Sequence, residues 1–357
     1  MTIHAFTSCS YSYLNRARVL ASSLRRQHPD WVIWLVMTDK EPEGFKLDLS
    51  QEDYDRVVTA EELFGEETDR WLFGHDIVEA CTAVKGRASC HILRQPDCEK
   101  LFYFDPDIAV FNSMEPVVEL LNNYSIVLTP HQTEPEPIDD VRAIMDNEIT
   151  SLEYGVFNLG FVAIANNEEG RRFAQWWDDR LHDWCHDRLE IGLFVDQKWC
   201  NLVPCFFDDV KVLRDPGYNV ASWNLSHREM SYDKEGTALI NGVPLRFYHF
   251  TKLGAVGDVM TQRYAQDDIE VYELWWWYRN AVEAASTKDI PRGWWYYDKF
   301  ANGEKIPKPV RELYRNRVDL RKAFPDPRAV GKGSFYEWLC LNTDMIDKPN
   351  HRGFQAV

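Results

Sequence analysis

Within its first forty residues the chain passes from one apolar segment, "IHAFTS" (3–8), to another, "WVIWLVMTD" (31–39), through a stretch of different period. That stretch, "YLNRARVLASSLRRQHP" (13–29), places Leu14, Ala17, Leu20, Ala21 and Leu24 three or four residues apart, the spacing of a helix with one buried stripe. Pro29 stops it. The second apolar segment is continuous up to its terminal aspartate, the mark of a parallel strand buried on both faces. Strand, helix and strand in so short a space predict an open parallel α/β sheet.

The same alternation continues. Arg56–Thr59 reads as a short strand, Asp76–Arg94 as a helix with small residues at Ala80, Ala83 and Ala88, and Lys100–Phe104 as the next strand. "YSIVLTP" (124–130) supplies another, and "TEPEPIDD" after it is a surface loop by its proline and acid content. "GVFNLGFVAIAN" (155–166) alternates small and apolar residues. Residues 168–188 pattern as an amphipathic helix, with Phe173, Trp176, Trp177, Leu181 and Trp184 on or near its core face. Short strands and loops are expected from 210 to 250. Beyond about 265 the alternation gives way to helical, aromatic and basic segments. The predicted organisation is an α/β domain over 1–264 and a helical C-terminal extension over 265–357 on the acceptor side or in an oligomer contact, so a homo-oligomer is one expectation.

A formal net charge of -17 at pH 7 argues against nucleic acid as a partner. It also means that an anionic ligand would need a cation or a focused set of basic side chains. The eight cysteines have no short regular framework and read as reduced and mostly buried. Cys81, Cys90 and Cys98 with His91 do not have the spacing of a structural zinc module. The N-terminus lacks a basic, apolar targeting segment, and no apolar run is long enough to span a membrane. The expectation is a cytoplasmic protein, with peripheral attachment to the inner membrane face left open. "VYELWWWYRN" (271–280) is read as packing between a terminal helix and the body rather than as an interfacial anchor.

"KLFYFDPDIAVF" (100–111) sets Asp105 and Asp107 at the end of a core strand. Two unscreened carboxylates so close together repel, and a divalent cation removes the conflict. Oxygen ligands suit Mg²⁺ or Mn²⁺, whose remaining positions take phosphate oxygens. Ligands of open α/β sheets bind at the carboxyl ends of strands, where this pair lies. His249, in "PLRFYHFTK", is either a third ligand or a core histidine bonded to a carbonyl. Lys252, three residues later, is a candidate phosphate partner. Three further polar positions each have an ordinary alternative to a site role: Asn158 bonding its own backbone in a turn, Asp196 capping the helix starting near Gln197, and Lys85 as a solvated helix residue. Trp223, in a Gly- and Asn-rich loop, is a candidate sugar-stacking ring.

Six blocks in order, "TAVKGRASCHIL", "KLFYFDPDIAVF", "GVFNLGFVAI", "FVDQKW", "DPGYNVASWNLSHR" and "PLRFYHF", carry a resemblance. Over most of residues 1–255 the chain resembles bacterial glycosyltransferases of the GT-A fold, close to the family 8 group of retaining, nucleotide-sugar-dependent enzymes. The resemblance implies that Asp105, Asp107 and His249 hold the metal and that Lys85 lies near the donor sugar and diphosphate. It puts Asn158 at the donor or reaction centre, Asp196 and Gln197 beside the transferred sugar, and Thr7 and Ser8 at the nucleoside. Lys252 follows His249 more closely than the family's usual lysine. The implied activity is metal-dependent transfer of a sugar from a nucleotide diphosphate donor to a hydroxyl of a glycan, lipid-linked glycan or protein, with retention. The rival readings are a carbohydrate-binding or scaffold protein that kept the fold without the activity, and a nucleotidyltransferase. The absence of glycine from "TSCSYSYLNRAR" counts against the latter.

Overall fold

Every residue of Ile3–Cys9 (β1) is buried, so this strand belongs in the middle of a sheet covered on both sides. That is where the computed structural model, which describes residues 2–345, places it; the end of the expected extension, 346–357, lies outside the described residues. The chain leaves β1 through helix Leu14–Gln27 (α1) to Val32–Met37 (β2) and Arg56–Thr59 (β3), all parallel. Helix Ile77–Leu93 (α2) then carries it back across to Lys100–Phe104 (β4), parallel to β1 on its other side. The sheet thus reverses its direction of growth between β1 and β4, the point at which open α/β sheets leave a crevice for ligands.

After β4 come a short strand, Ile108–Val110 (β5), the sheet strand Ile126–Pro130 (β6), and Phe157–Ala165 (β7), buried throughout. Helix Glu168–Trp184 (α3) leads on to Val210–Val212 (β8). The seven-stranded order is β8-β6-β7-β4-β1-β2-β3, with β7 antiparallel to both neighbours and every other pairing parallel. Phe247–His249 (β9) pairs antiparallel with β5 in a separate ribbon. This is the mixed, mostly parallel, helix-flanked sheet of a Rossmann-like GT-A fold.

One face of the sheet packs on α2 and α3, the other on α1. A Cβ on Gly86 of α2 would lie 2.5 Å from the Asp178 backbone of α3, so only glycine allows these helices to pack this closely. Trp177 is fully buried between them, whereas Trp176 and Trp184 are half-buried at the edge.

Helix Ala255–Ala265 (α4) ends the α/β span, and helices Ile269–Ala284 (α5), Lys308–Asn316 (α6), Val318–Ala323 (α7) and Phe335–Leu341 (α8) follow it as the helical extension. In α5, Trp275 and Tyr278 pack inward while Trp276 faces out, 70% exposed, so the aromatic patch is mainly a packing surface. No helix among the described residues is long and apolar enough to cross a membrane. All eight cysteines are free; Cys205 and Cys340 are exposed. The loop at 133–140 has no regular structure, and the helical run that follows it to Tyr154, with a π-turn at Ile144–Ile149, has no counterpart in the pattern reading.

Candidate active site

β4 ends at Phe104, and the chain turns through Asp105, Pro106 and Asp107 into β5. The β5–β9 ribbon sets Ile108 opposite His249, and the Phe250 amide donates to the Asp107 carbonyl at 2.8 Å. This register brings a residue 142 positions downstream of Asp107 against the aspartate pair. His249 Nε2 lies 3.0 Å from Asp107 Oδ1 and 3.8 Å from Asp105 Oδ2. One ligand atom from each of the three residues falls within 4.8 Å of the others, the only such His, Cys, Asp and Glu group found among the described residues.

The histidine is oriented from behind. The Gly160 amide donates to Asn158 Oδ1 at 3.2 Å, which fixes that atom as the oxygen; His249 Nδ1, also 3.2 Å away, must therefore donate to it. The Nε2 lone pair is left facing the carboxylates, the tautomer a metal ligand needs. Asn158 Nδ2 points at Nε2 of His131, whose pKa burial and the neighbouring His249 push down to about 4, so it accepts as a neutral ring. Asn158 thus does bond its own backbone, but it also aligns His249. His249 is not a core histidine held by a backbone carbonyl. Two carboxylates and an imidazole fit a hard or borderline divalent ion such as Mg²⁺ or Mn²⁺.

Burial would lower the pKa of His249, but Asp107 more than reverses this and raises it. For Asp107 burial pulls upward and His249 more strongly downward, so its carboxyl is held below the ordinary range.

For Lys85 the ordinary alternative, a solvated helix residue, fails. It is 1% exposed, and its ammonium donates to Asp105 Oδ1 and to the Leu159 carbonyl, each at 3.0 Å. Asp196 Oδ2 lies 2.8 Å from the same nitrogen, an ion pair outside hydrogen-bond angles. Burial alone would depress the lysine pKa; Asp105 and Asp196 overcome it and raise it. Burial lifts Asp196 to about 6 despite Lys85. Asp196 caps no helix, because its carboxylate turns inward to the lysine. Gln197 is buried beside it and accepts from the Leu159 amide at 3.3 Å while donating to the Tyr154 carbonyl at 3.2 Å.

Other expected contacts fall further away. Ser8 is buried and donates to the Cys81 carbonyl at 2.7 Å, while the Thr7 hydroxyl is buried without a partner. Lys252 is exposed, has a left-handed backbone (φ 54°), and makes no side-chain hydrogen bond or ion pair among the described residues. Trp223 packs edge-on against His249 and His131, with ring centres 5.3 and 5.4 Å away. Sequence reasoning missed Tyr103, whose hydroxyl donates to Asp105 Oδ1 at 2.5 Å and whose ring lies 4.3 Å from the Lys85 ammonium. Its signal was the two-residue alternation that puts Tyr103 and Asp105 on one face. His131 and Gly160 gave no comparable signal.

No family model matches the chain. It is similar to two uncharacterized proteins of Bacillus subtilis (strain 168). YfnF is 25% identical over 257 residues, covering 70% of this chain and 82% of that protein. YfnD is 24% identical over 288 residues, covering 79% and 85%. Among solved structures, the galactosyltransferase LgtC with donor and acceptor sugar analogs superposes with a TM-score of 0.45 at 15% identity, over 82% of this chain and 99% of that one. The apo glycosyltransferase GlyE of Streptococcus pneumoniae TIGR4 gives 0.43 at 15%, over 80% and 63%.

Proposed function

We propose that the chain is a metal-dependent glycosyltransferase that moves a sugar from a nucleotide diphosphate donor to an acceptor hydroxyl with retention of configuration. The carrying observation is the convergence of Asp105, Asp107 and the correctly oriented His249 at the crevice beside β4, backed by a buried, charged Lys85. The metal would be held by these three residues and, when bound, would stabilise the negative charge of the departing diphosphate.

The protein's own groups supply the rest. Lys85 is fixed by two carboxylates and a carbonyl, so it stays charged beside the metal ligands and adds to the field that favours a departing anion. Asn158 keeps Nε2 of His249 available. Gln197 and Asp196 lie next to Asn158 and Lys85 and are assigned to the sugar side, with the nucleoside beyond Thr7 and Ser8 at the end of β1. Asp196 is the one candidate nucleophile for double displacement. Its burial and its contact with Lys85 favour instead a front-face route, in which the leaving phosphate takes the acceptor proton. Residues 1–264 form the catalytic unit in this reading, and the C-terminal helices border the acceptor. The acceptor is a glycan, a lipid-linked glycan or a protein, and the reaction takes place in the cytoplasm.

The test is a screen of nucleotide sugars with Mn²⁺, read as release of nucleoside diphosphate, together with thermal shifts. Stabilisation by UDP or GDP plus Mn²⁺, abolished in Asp107→Ala, is expected. A wild-type protein that no nucleoside diphosphate stabilises in Mn²⁺ would refute the reading. Stabilisation without release or transfer from any donor would favour a binding module.

A further inference from the structure

We propose that Arg16, rather than Lys252, is the residue that grips the donor's diphosphate. The inference rests on the donor reading above and adds a contact to it. Arg16 is the third residue of α1, and the first turn of that helix contains no acid. A cation there sits at the unfavourable, positive end of the helix dipole. The residue is half-buried, and its guanidinium makes no hydrogen bond or ion pair with any described residue. Arg18, two positions on, shows the ordinary alternative: it is fully committed to Glu52, Thr287 and the Ala285 carbonyl. A local rule broken without visible compensation marks a functional site more often than an accident.

The position of Arg16 is also prepared. The guanidinium carbon lies 4.0 Å from the ring centre of Tyr13, which fixes the plane of the donors without occupying them. α1 follows β1, whose carboxyl end lies beside that of its parallel neighbour β4, where Asp105 and Asp107 sit. A second group points to a missing ligand. Tyr278 of α5 is fully buried, stacked at 3.9 Å on Phe250, the residue after His249, and its hydroxyl has no hydrogen-bond partner among the described residues. The Phe250 on which it stacks donates its amide to the Asp107 carbonyl at 2.8 Å, which places the ring behind that residue. A guanidinium and a phenol, both with free donors, therefore share the neighbourhood of one metal-ligating carboxylate.

Charge gives the ligand its chemistry. Asp105, Asp107 and Asp196 are offset by Lys85 and a divalent ion. A diphosphate then brings negative charge that these groups do not balance, and Arg16 is a positioned cation with its donors free. A planar donor fork suits two phosphate oxygens.

The experiment is titration calorimetry with Mn²⁺ alone and then with inorganic pyrophosphate in saturating Mn²⁺, on wild type, Arg16→Ala, Arg16→Lys and Tyr278→Phe. Expected results are a loss of tenfold or more in pyrophosphate affinity for Arg16→Ala, partial retention in Arg16→Lys and a smaller loss in Tyr278→Phe. Mn²⁺ alone should bind Arg16→Ala as tightly as wild type or slightly tighter, because a repelling charge is gone. Pyrophosphate affinity within twofold of wild type in Arg16→Ala overturns the assignment. So does an equal loss of Mn²⁺ affinity, which would mean that Arg16 only props the metal ligands, and so does a wild type that binds no pyrophosphate. Binding of pyrophosphate through Arg16 by a protein that binds no nucleoside diphosphate would instead sink the donor reading and leave the anion site standing.

Discussion

Helix α2 carries two buried charges six residues apart, Glu79 and Lys85, and their surroundings differ in kind. Each oxygen of Glu79 meets its own cation: Oε2 lies 3.0 Å from Arg315 and Oε1 3.3 Å from Lys308, both on α6. Burial pushes its pKa up, but Arg315 leads a larger opposing pull that sets it at about 2. This cluster is closed, and it clasps the C-terminal helices to the α/β body. Asp76 and Asp187 also lie 3.3 and 3.9 Å from Lys308, so the contrast is not one of number: among the described residues Asp107 has only the titratable His249 as an ion-pair partner. A buried carboxylate with a permanent cation on each oxygen serves as a fastening; one that faces only a titratable ring needs a visitor. The second is where a metal and its ligand belong.

The largest test of that contrast is Asp107→Ala. Its side chain is 15% exposed and not part of the Lys85 network, so the fold should survive. Removing a direct ligand should weaken Mn²⁺ by more than the roughly 10–100-fold that outer partners of metal ligands cost, and transfer should fall at least as far. Calorimetry and initial rates check this, and unaltered Mn²⁺ affinity would place the ion elsewhere.

Next come the two lysine and glutamate variants, which should separate stability from binding. Lys85→Met leaves Asp105 and Asp196 facing each other, and breaking a buried pair costs about 3–5 kcal/mol. Asp196, already raised to about 6, would escape by taking up a proton, so this variant should regain stability in acid. Glu79→Gln strips the counter-charge from Arg315, while Lys308 keeps Asp76 and Asp187, and should also destabilise, yet leave Mn²⁺ affinity within about twofold. Urea unfolding followed by metal titration distinguishes them. A loss of Mn²⁺ binding in Glu79→Gln would erase the distinction between the clusters.

The same contrast explains what could be read from sequence. Continuous apolar runs disclosed β1, β2 and β4, and the three-to-four spacing disclosed α1 and α3, because burial on a periodic element writes its period into the chain. The D-x-D pair was legible because two carboxylates at a strand end conflict with their setting. Lys85 was legible only through the resemblance, since a lysine on a helix looks solvated until Gly86 and the small residues around it let the helix pack close enough to bury it. The antiparallel direction of β7 and the tautomer-setting role of Asn158 depend on pairings across the sheet, which no local pattern encodes. The helical run before Tyr154 escaped because its apolar side chains, Val141, Met145, Ile149 and Leu152, remain exposed rather than facing a core.

Gly160 offers a finer probe. A Cβ there would come within 2.6 Å of His249 Cε1 and 2.8 Å of Asn158 Oδ1. Gly160→Ala must displace the imidazole or the amide that orients it. The expected result is a loss of about 10–100-fold in Mn²⁺ affinity, with a stability cost of about 1–3 kcal/mol. Wild-type affinity in this variant would show that the orientation of His249 is unimportant.

The smallest effect is pH dependence, and it separates the clusters without mutation. Asp107 raises the pKa of His249 against the pull of burial, so the metal-free His249–Asp107 pair contributes stability that is full below the histidine's ordinary value of about 6.5 and disappears as pH rises through the folded value. Asp196 acts in the same direction: its folded pKa of about 6 lies above that of the unfolded chain, so stability declines as pH rises from the unfolded value through 6. A metal takes the Nε2 lone pair and displaces the proton, so Mn²⁺ affinity should climb by up to about tenfold per pH unit below the raised value and level off above it. Between roughly pH 6 and 8, the metal-free melting temperature should fall and the increment from Mn²⁺ should grow. The Glu79 clasp, with its carboxyl near 2, stays ionised throughout this window and should contribute nothing to the trend. Equal Mn²⁺ affinity at both ends of the window would mean that the ion does not compete with a proton on His249, and the open cluster would lose its defining ligand.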